Sequence, residues 1–121
     1  MTISHVKDVP AQAVKAGDKA SMQVLISAQE GLHFAMRRFV MEPGGGMPNH
    51  TNTVEHEQYV LRGHAMIGIG EEEFEVEAGN VVFIPKGVPH WYQNIGDADF
   101  EFLCIIPNKE DRLTLLDKTS C

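Results

Sequence analysis

The sequence predicts an all-β fold, an antiparallel sandwich or barrel of short strands. Three observations carry this: apolar runs of strand length from residue 22 onward, turn residues between them, and one stretch of strict two-residue alternation. Residues 1–20 are mixed and polar, broken by Pro10 and Gly17, and read as an N-terminal arm. Strands then follow over 22–27, 33–41, 56–61, 64–69, 73–77, 81–84, 90–94 and 100–106. The alternation is Glu73-Phe74-Glu75-Val76-Glu77, which puts three glutamates on a solvent face and buries the other face. Val81-Val82-Phe83-Ile84 has no alternation and reads as a strand covered on both sides. Glycine marks turns at 42–46, 62–63, 70–71, 78–80, 85–87 and 96–97. Beyond Pro107 the pattern changes: Asn108 caps a predicted helix through Leu116, with Asp111 in its first turn. Leu113, Leu115 and Leu116 give that tail a surface to pack on the body or on a second subunit.

A chain of 121 residues suits a single domain over 1–121. The formal charge of −7 is the wrong sign for gripping nucleic-acid phosphates, so no nucleic-acid partner is expected. No apolar run approaches the ~18 residues of a membrane helix, so no membrane partner is expected either. The N-terminus has no basic stretch followed by an apolar one, and Cys104 and Cys121 make no disulfide framework. A cytoplasmic, reduced setting is the expectation. The glycines at 44–46 and 68–70 are followed by neither Lys-Ser/Thr nor a helix, so they are turns rather than phosphate loops.

Six histidines stand out, and three of them share a context. His50 follows the 42–46 turn, His56 opens a strand, and His90 opens another just after the 85–87 turn. Taken singly, each reads as a hydrogen-bonded core or surface residue. Three at turn-to-strand junctions read together as a site, because closing an antiparallel barrel brings strand ends and their inward residues together. Neutral imidazole suits Mn, Fe, Ni, Cu and Zn, and three of them leave room on an ion for substrate. Strand periodicity puts Gln58 on the face of His56, and Tyr92 and Asn94 on that of His90. On the last strand Phe100, Phe102, Cys104 and Ile106 share a parity opposite to Glu101, whose charge assigns the even set to the interior. His5, His33 and His64 read as surface or strand-edge residues. Glu55 and Glu57 face away from His56 and make poor metal ligands.

The pattern Gly44-x5-His50-x-Asn52-x3-His56-x6-Gly63 resembles the first motif of the cupin superfamily, over 44–63. The pattern Gly79-x5-Pro85-x-Gly87-x2-His90-x3-Asn94 resembles its second, over 79–94. The fifteen residues between, 64–78, match the short spacing of single-domain microbial cupins. Further stretches, Glu42-Pro43-Gly44-Gly45, Glu55-His56-Glu57, Tyr59-Val60-Leu61 and Glu101-Phe102-Leu103-Cys104, resemble the small four-histidine manganese cupins of thermophilic bacteria. The resemblance implies a cupin barrel (double-stranded β-helix, or jelly roll) with a short N-terminal arm and a C-terminal tail. It also implies one divalent ion, Mn or Fe before Ni, Zn or Cu, held by His50, His56 and His90. Where those cupins carry their second histidine this chain has Asn52, a weak oxygen donor and an optional fourth ligand. Loose, water-mediated or absent coordination by Asn52 all fit that exchange, as does a site that has lost its metal.

Gln58, Tyr92, Phe102 and Cys104 are the expected pocket walls. Arg37 and Arg38 point to opposite faces, and the resemblance selects Arg37 for the interior and Met47 for the pocket mouth. The function expected is a metal-dependent oxidoreductase of oxygenase type, Mn or Fe, acting on a small organic substrate. The alternatives are a non-catalytic small-molecule binder and a metal-dependent isomerase or lyase of sugar-like acids. A homodimer is expected, paired through the arm and a sheet face near Val24–Ile26 with the leucine-rich tail.

Overall fold

The computed structural model describes residues 2–116; Cys121 lies outside them. After a single 3-10 turn at Val6–Asp8, ten strands follow: β1 Gln12–Ala13, β2 Asp18–Ile26, β3 Phe34–Thr51, β4 His56–Arg62, β5 His64–Ile69, β6 Glu72–Glu77, β7 Val81–Ile84, β8 His90–Asn94, β9 Phe100–Pro107 and β10 Thr114–Leu115. They form one curled antiparallel sheet whose main path runs β6-β5-β8-β3-β9-β4-β7, with β2 and β10 added to β3 and β1 added to β2. Among the described residues no helix is long and apolar enough to cross a membrane.

The long strand β3 shapes the shell. Its first half pairs with β9, from Phe34↔Pro107 to Met41↔Phe100, and its second half pairs with β8, including Met47↔Tyr92 and His50↔His90. The predicted turn at 42–46 is therefore corrected to a bend within a continuous strand. Two glycines make the bend workable. Gly44 has φ +81°, which a side chain resists, and a Cβ on Gly46 would run into the Tyr92 carbonyl. The bend carries β3 from one side of the shell to the other and sets His50 directly opposite His90.

The interior follows strand parity. Met41, Val60, Ala65, Ile67, Ile84, Phe100, Phe102 and Cys104 are all buried, and on β9 the even residues point inward as the charge on Glu101 implied. Asn94 is a structural residue: its amide donates to the Met41 and Ala98 carbonyls (both 2.9 Å) while its oxygen accepts from the Gly96 N–H. These bonds close the turn between β8 and β9.

Three expectations change. Residues 108–116 form no helix; they run extended, with Thr114 and Leu115 paired to Thr51 and His50 of β3. The cap and dipole signals were local, and the unpaired edge of β3 offered backbone partners that a short isolated helix could not match. β7 is not covered on both faces: Val82 and Ile84 are buried, while Val81 is 77% exposed and Phe83 55%. Its position at one end of the sheet path explains this. Val76 on β6 is buried as its alternation implied, but Phe74 is 43% exposed, since β6 closes the other end of that path.

Candidate functional site

A cavity of about 370 Å³ lies inside the shell, between β3, β4, β8 and β9. Its wall includes Arg37, Met47, His50, Asn52, His56, Gln58, His90, Tyr92 and Phe102. Cys104 sits immediately behind, its sulfur 3.7 Å from Gln58 Nε2 and 3.5 Å from His56 Nδ1. The structure thus brings the residues singled out from the sequence to one place. His5, His33 and His64 are exposed, and Glu55 and Glu57 lie off the cavity wall. The Glu57 carboxyl is pushed up to about 7 by partial burial first and then by its hydrogen bond with Glu55.

The three imidazoles come from the end of β3, the start of β4 and the start of β8. Ring centroids lie 4.1 Å apart for His50 and His90, and 5.7 Å for His56 and His90. Two imidazoles on one ion, each with nitrogen about 2.1 Å away, have centroids roughly 4.5–5.5 Å apart. The spacing straddles that range, and among the described residues no group of three or more His, Cys, Asp or Glu side chains is close enough to hold an ion as it stands. The hydrogen bonding does suit a metal. His50 Nδ1 lies 2.8 Å from the Pro48 carbonyl and His90 Nδ1 2.9 Å from the Val88 carbonyl. A carbonyl only accepts, so both Nδ1 atoms carry the proton and both Nε2 atoms keep a free lone pair. The Nε2 atoms of His56 and His90 are buried without any hydrogen-bond partner. Unpartnered buried acceptors cost stability unless something fills the place.

Burial keeps all three rings neutral. His56 is pushed down to about 3, by desolvation first and then by the Arg37, His90 and His50 charges. His90 is pushed down to about 4 by desolvation and His50, against a smaller upward pull from the Val88 carbonyl. His50 is lowered for the same leading reason. Burial also raises the Cys104 thiol, so it is protonated beside His56.

Asn52 is oriented by a residue the sequence did not flag. Its Nδ2 donates to Asp111 Oδ2 (3.1 Å), and Asp111 Oδ1 also accepts from the Thr53 N–H (3.0 Å). A carboxylate accepts only, so the amide nitrogen must face Asp111 and the carbonyl oxygen must face away from it. That oxygen is buried and unpartnered, as are the His56 and His90 Nε2 atoms on the same wall. Asp111 was legible only as a helix-start charge, because its partners are 58 and 59 residues distant. Phe39 was also missed, although it shares strand parity with Arg37. It stacks on Phe102 at 5.2 Å, and Phe102 stacks on Tyr92 at 5.2 Å, giving the cavity a continuous aromatic side. Gln58 Nε2 donates to Tyr92 Oη (2.7 Å), which leaves the Tyr92 hydroxyl proton free to donate elsewhere.

The polyketide cyclase RemF of Streptomyces resistomycificus is similar over nearly the whole chain, with a TM-score of 0.85, 29% identity, and 98% of this chain and 88% of that one covered. An oxalate-binding protein of Thermotoga maritima is 28% identical over 95 residues, 74% of this chain and 78% of its own. An uncharacterized protein of Methanocaldococcus jannaschii is 36% identical over 52 residues, 43% of this chain and only 42% of that protein's length. The cupin domain family matches residues 37–106, which hold both histidine motifs and the strands that carry them. With more than half of the chain inside that match, and the curled antiparallel shell it demands in place, this protein belongs to the cupin domain family.

Proposed function

We propose that this cupin is a metal-dependent enzyme acting on a small, flat, largely apolar carbonyl compound. In this reading His50, His56 and His90 hold one divalent ion, and the Asn52 oxygen is a weaker fourth donor. The observation that carries it is the pair of buried, unpartnered Nε2 atoms on His56 and His90 beside the unpartnered Asn52 oxygen. The His90 lone pair and the Asn52 oxygen are acceptors that a bound cation would satisfy, and His56 Nε2 can join them when its proton sits on Nδ1 against the Cys104 sulfur. When bound, a divalent ion there polarises a carbonyl oxygen and makes the neighbouring carbon more acidic. The chain's own side chains do the rest. Phe39, Phe102 and Tyr92 give the cavity an apolar aromatic side against which a planar substrate can pack, and the free Tyr92 proton can hydrogen-bond a substrate oxygen. The Nδ1 bonds of His50 and His90 hold their rings in place.

Similarity to a polyketide cyclase along almost the full chain, together with the aromatic wall, favours polar carbon chemistry such as ring closure. The oxygenase reading drawn from the sequence has one observation behind it. Asn52 is a weak donor where related cupins have histidine, and open coordination positions are what oxygen activation needs. Metal analysis of tag-free protein and of His50→Ala, His56→Ala and His90→Ala tests the centre. Stoichiometric metal in the parent, and trace metal in all three variants, is the expected result. Equal trace metal in all four proteins defeats it. The chemistry is separated by two measurements on 2′-hydroxyacetophenone: deuterium uptake at its methyl group, expected for polar chemistry, and oxygen consumption, expected for an oxygenase. Neither activity in metal-loaded protein would favour a binding module. A homodimer is part of this reading, supported by the exposed Val81, Phe83 and Tyr59 on adjoining β7 and β4; a monomer mass by light scattering at micromolar concentration would overturn it.

A further inference from the structure

Arg37 and Arg38 are neighbours on β3 with opposite circumstances. Arg38 points outward and is saturated: Nη1 donates to Gln23 Oε1 (2.6 Å) and Nη2 pairs with Glu101. Arg37 lines the cavity and has no carboxylate partner among the described residues. Its Nη2 is 3.7 Å from Cys104 Sγ and its Nη1 is 3.9 Å from Met22 Sδ, both weak acceptors, and its Nε is buried with no partner at all. Among the described residues every ion pair belongs to another cation: Arg38, Arg62, His64 or Arg112. The guanidinium carbon lies 5.0 Å over the Phe39 ring, which lends attraction but accepts no N–H bond of ordinary strength.

A guanidinium offers five donors in a rigid fork, and enclosing it without an anion is expensive. Among the described residues no acidic side chain is set against this fork. None of the described side chains supplies the counter-charge, which leaves the fork open to an anionic ligand in the cavity. Its shape follows from the fork, which fits the two oxygens of a carboxylate side by side. The rest of the ligand follows from the wall, since the Phe39–Phe102–Tyr92 stack runs from the guanidinium toward His90.

We propose that Arg37 is an anion-binding subsite, and that the substrate is a planar, ring-bearing acid whose carboxylate docks on the Arg37 fork while its ring lies along the Phe39–Phe102–Tyr92 stack. This deepens the reading above and depends on it for taking this cavity as the substrate site. Placed so, the far end of the ring points toward His90, and Arg37 decides which molecules enter and how they lie.

The test uses 2-naphthoate and its neutral counterpart 2-naphthamide, titrated calorimetrically into the protein as purified and into Arg37→Met and Arg37→Lys, with metal content measured on each sample. The parent is expected to bind the acid about tenfold or more tightly than the amide. Arg37→Met should lose that preference while its amide affinity stays within about twofold, and Arg37→Lys should keep part of it. A parent that binds acid and amide alike overturns the proposal, and that comparison needs no variant to fold. An unchanged acid preference in Arg37→Met, or equal loss of both ligands in a variant with parental circular dichroism, overturns it as well. Failure of the metal reading appears separately, as absence of stoichiometric metal in every sample, and leaves the expected acid preference of the parent unchanged.

Discussion

The two sides of the cavity are held by different means. On one side His56, Gln58, Tyr92, Phe102 and Cys104 stand on β4, β8 and β9, whose register is fixed by continuous strand pairing such as Gln58↔Cys104 and Val60↔Phe102. On the other side Asn52 lies just beyond the end of β3 and takes its orientation from Asp111, in a tail secured by the short β10 and by the bond from Arg112 N–H to Thr53 Oγ1 (2.8 Å). The first side is part of the core and is costly to disturb. The second is a strap of surface contacts whose loss leaves the core intact. The contrast teaches that ligand position and fold stability are joined on one side of this cavity and separable on the other.

The largest expected effect breaks the first side. Phe102 is 2% exposed and sandwiched between Phe39 and Tyr92. Phe102→Ala removes that packing and opens a void, which costs about 3–5 kcal/mol and lowers the melting midpoint by roughly 10–20 °C. Thermal unfolding followed by circular dichroism measures this. A shift of only one or two degrees would mean that the aromatic wall is not part of the core.

That side was also the legible one. Alternation on β9 and the charge of Glu101 placed Phe102 and Cys104 inside, and the parity of β4 and β8 placed Gln58 and Tyr92 beside their histidines. Strand periodicity is a local property, so a single sequence carries it. The strap could not be read in the same way. Asp111 sits 59 residues from Asn52, and its local signals pointed to a helix that did not form. The bend in β3 was missed for a related reason. Three glycines signal a break in direction, but only the neighbouring strands decide whether pairing continues through it.

Next in size is Asn52→His, which strengthens the weak donor on the strapped side. A fourth imidazole in place of an amide oxygen should tighten retention of a divalent transition metal by roughly tenfold or more, read by competition with a chelator. Unchanged retention would mean that position 52 does not face the ion.

Acid should expose the cost of the buried histidines in metal-free protein. His56 and His90 titrate near 3 and 4 when folded but near 6.5 when unfolded. Between those values the unfolded chain binds more protons than the folded one, so stability is full above about pH 6.5 and falls as pH drops toward 4. Melting midpoints recorded across that window should fall by several degrees, roughly, and His90→Ala should flatten part of the slope. A midpoint that does not move between pH 7 and 4.5 would show that the folded rings protonate as freely as unfolded ones.

The smallest effect isolates the strap. Asp111→Asn keeps the size of the side chain but offers Asn52 a donor as well as an acceptor, so the Asn52 amide is free to turn and withdraw its oxygen. Loss of an outer partner of this kind lowers metal affinity by about tenfold. Asp111 lies on the exposed tail and contributes nothing to the core, so the melting midpoint of the metal-free variant should stay within about two degrees of the parent. The pair of readings is what matters. Weaker metal retention with an unchanged midpoint is what a strap that sets ligand orientation alone would give, and pairing the substitution with Asn52→His should abolish the difference, because an imidazole in that place no longer needs an amide turned for it. If Asp111→Asn lowers affinity by the same factor in both backgrounds, its charge rather than its hold on Asn52 is responsible, and the two sides of the cavity differ less than their contacts imply.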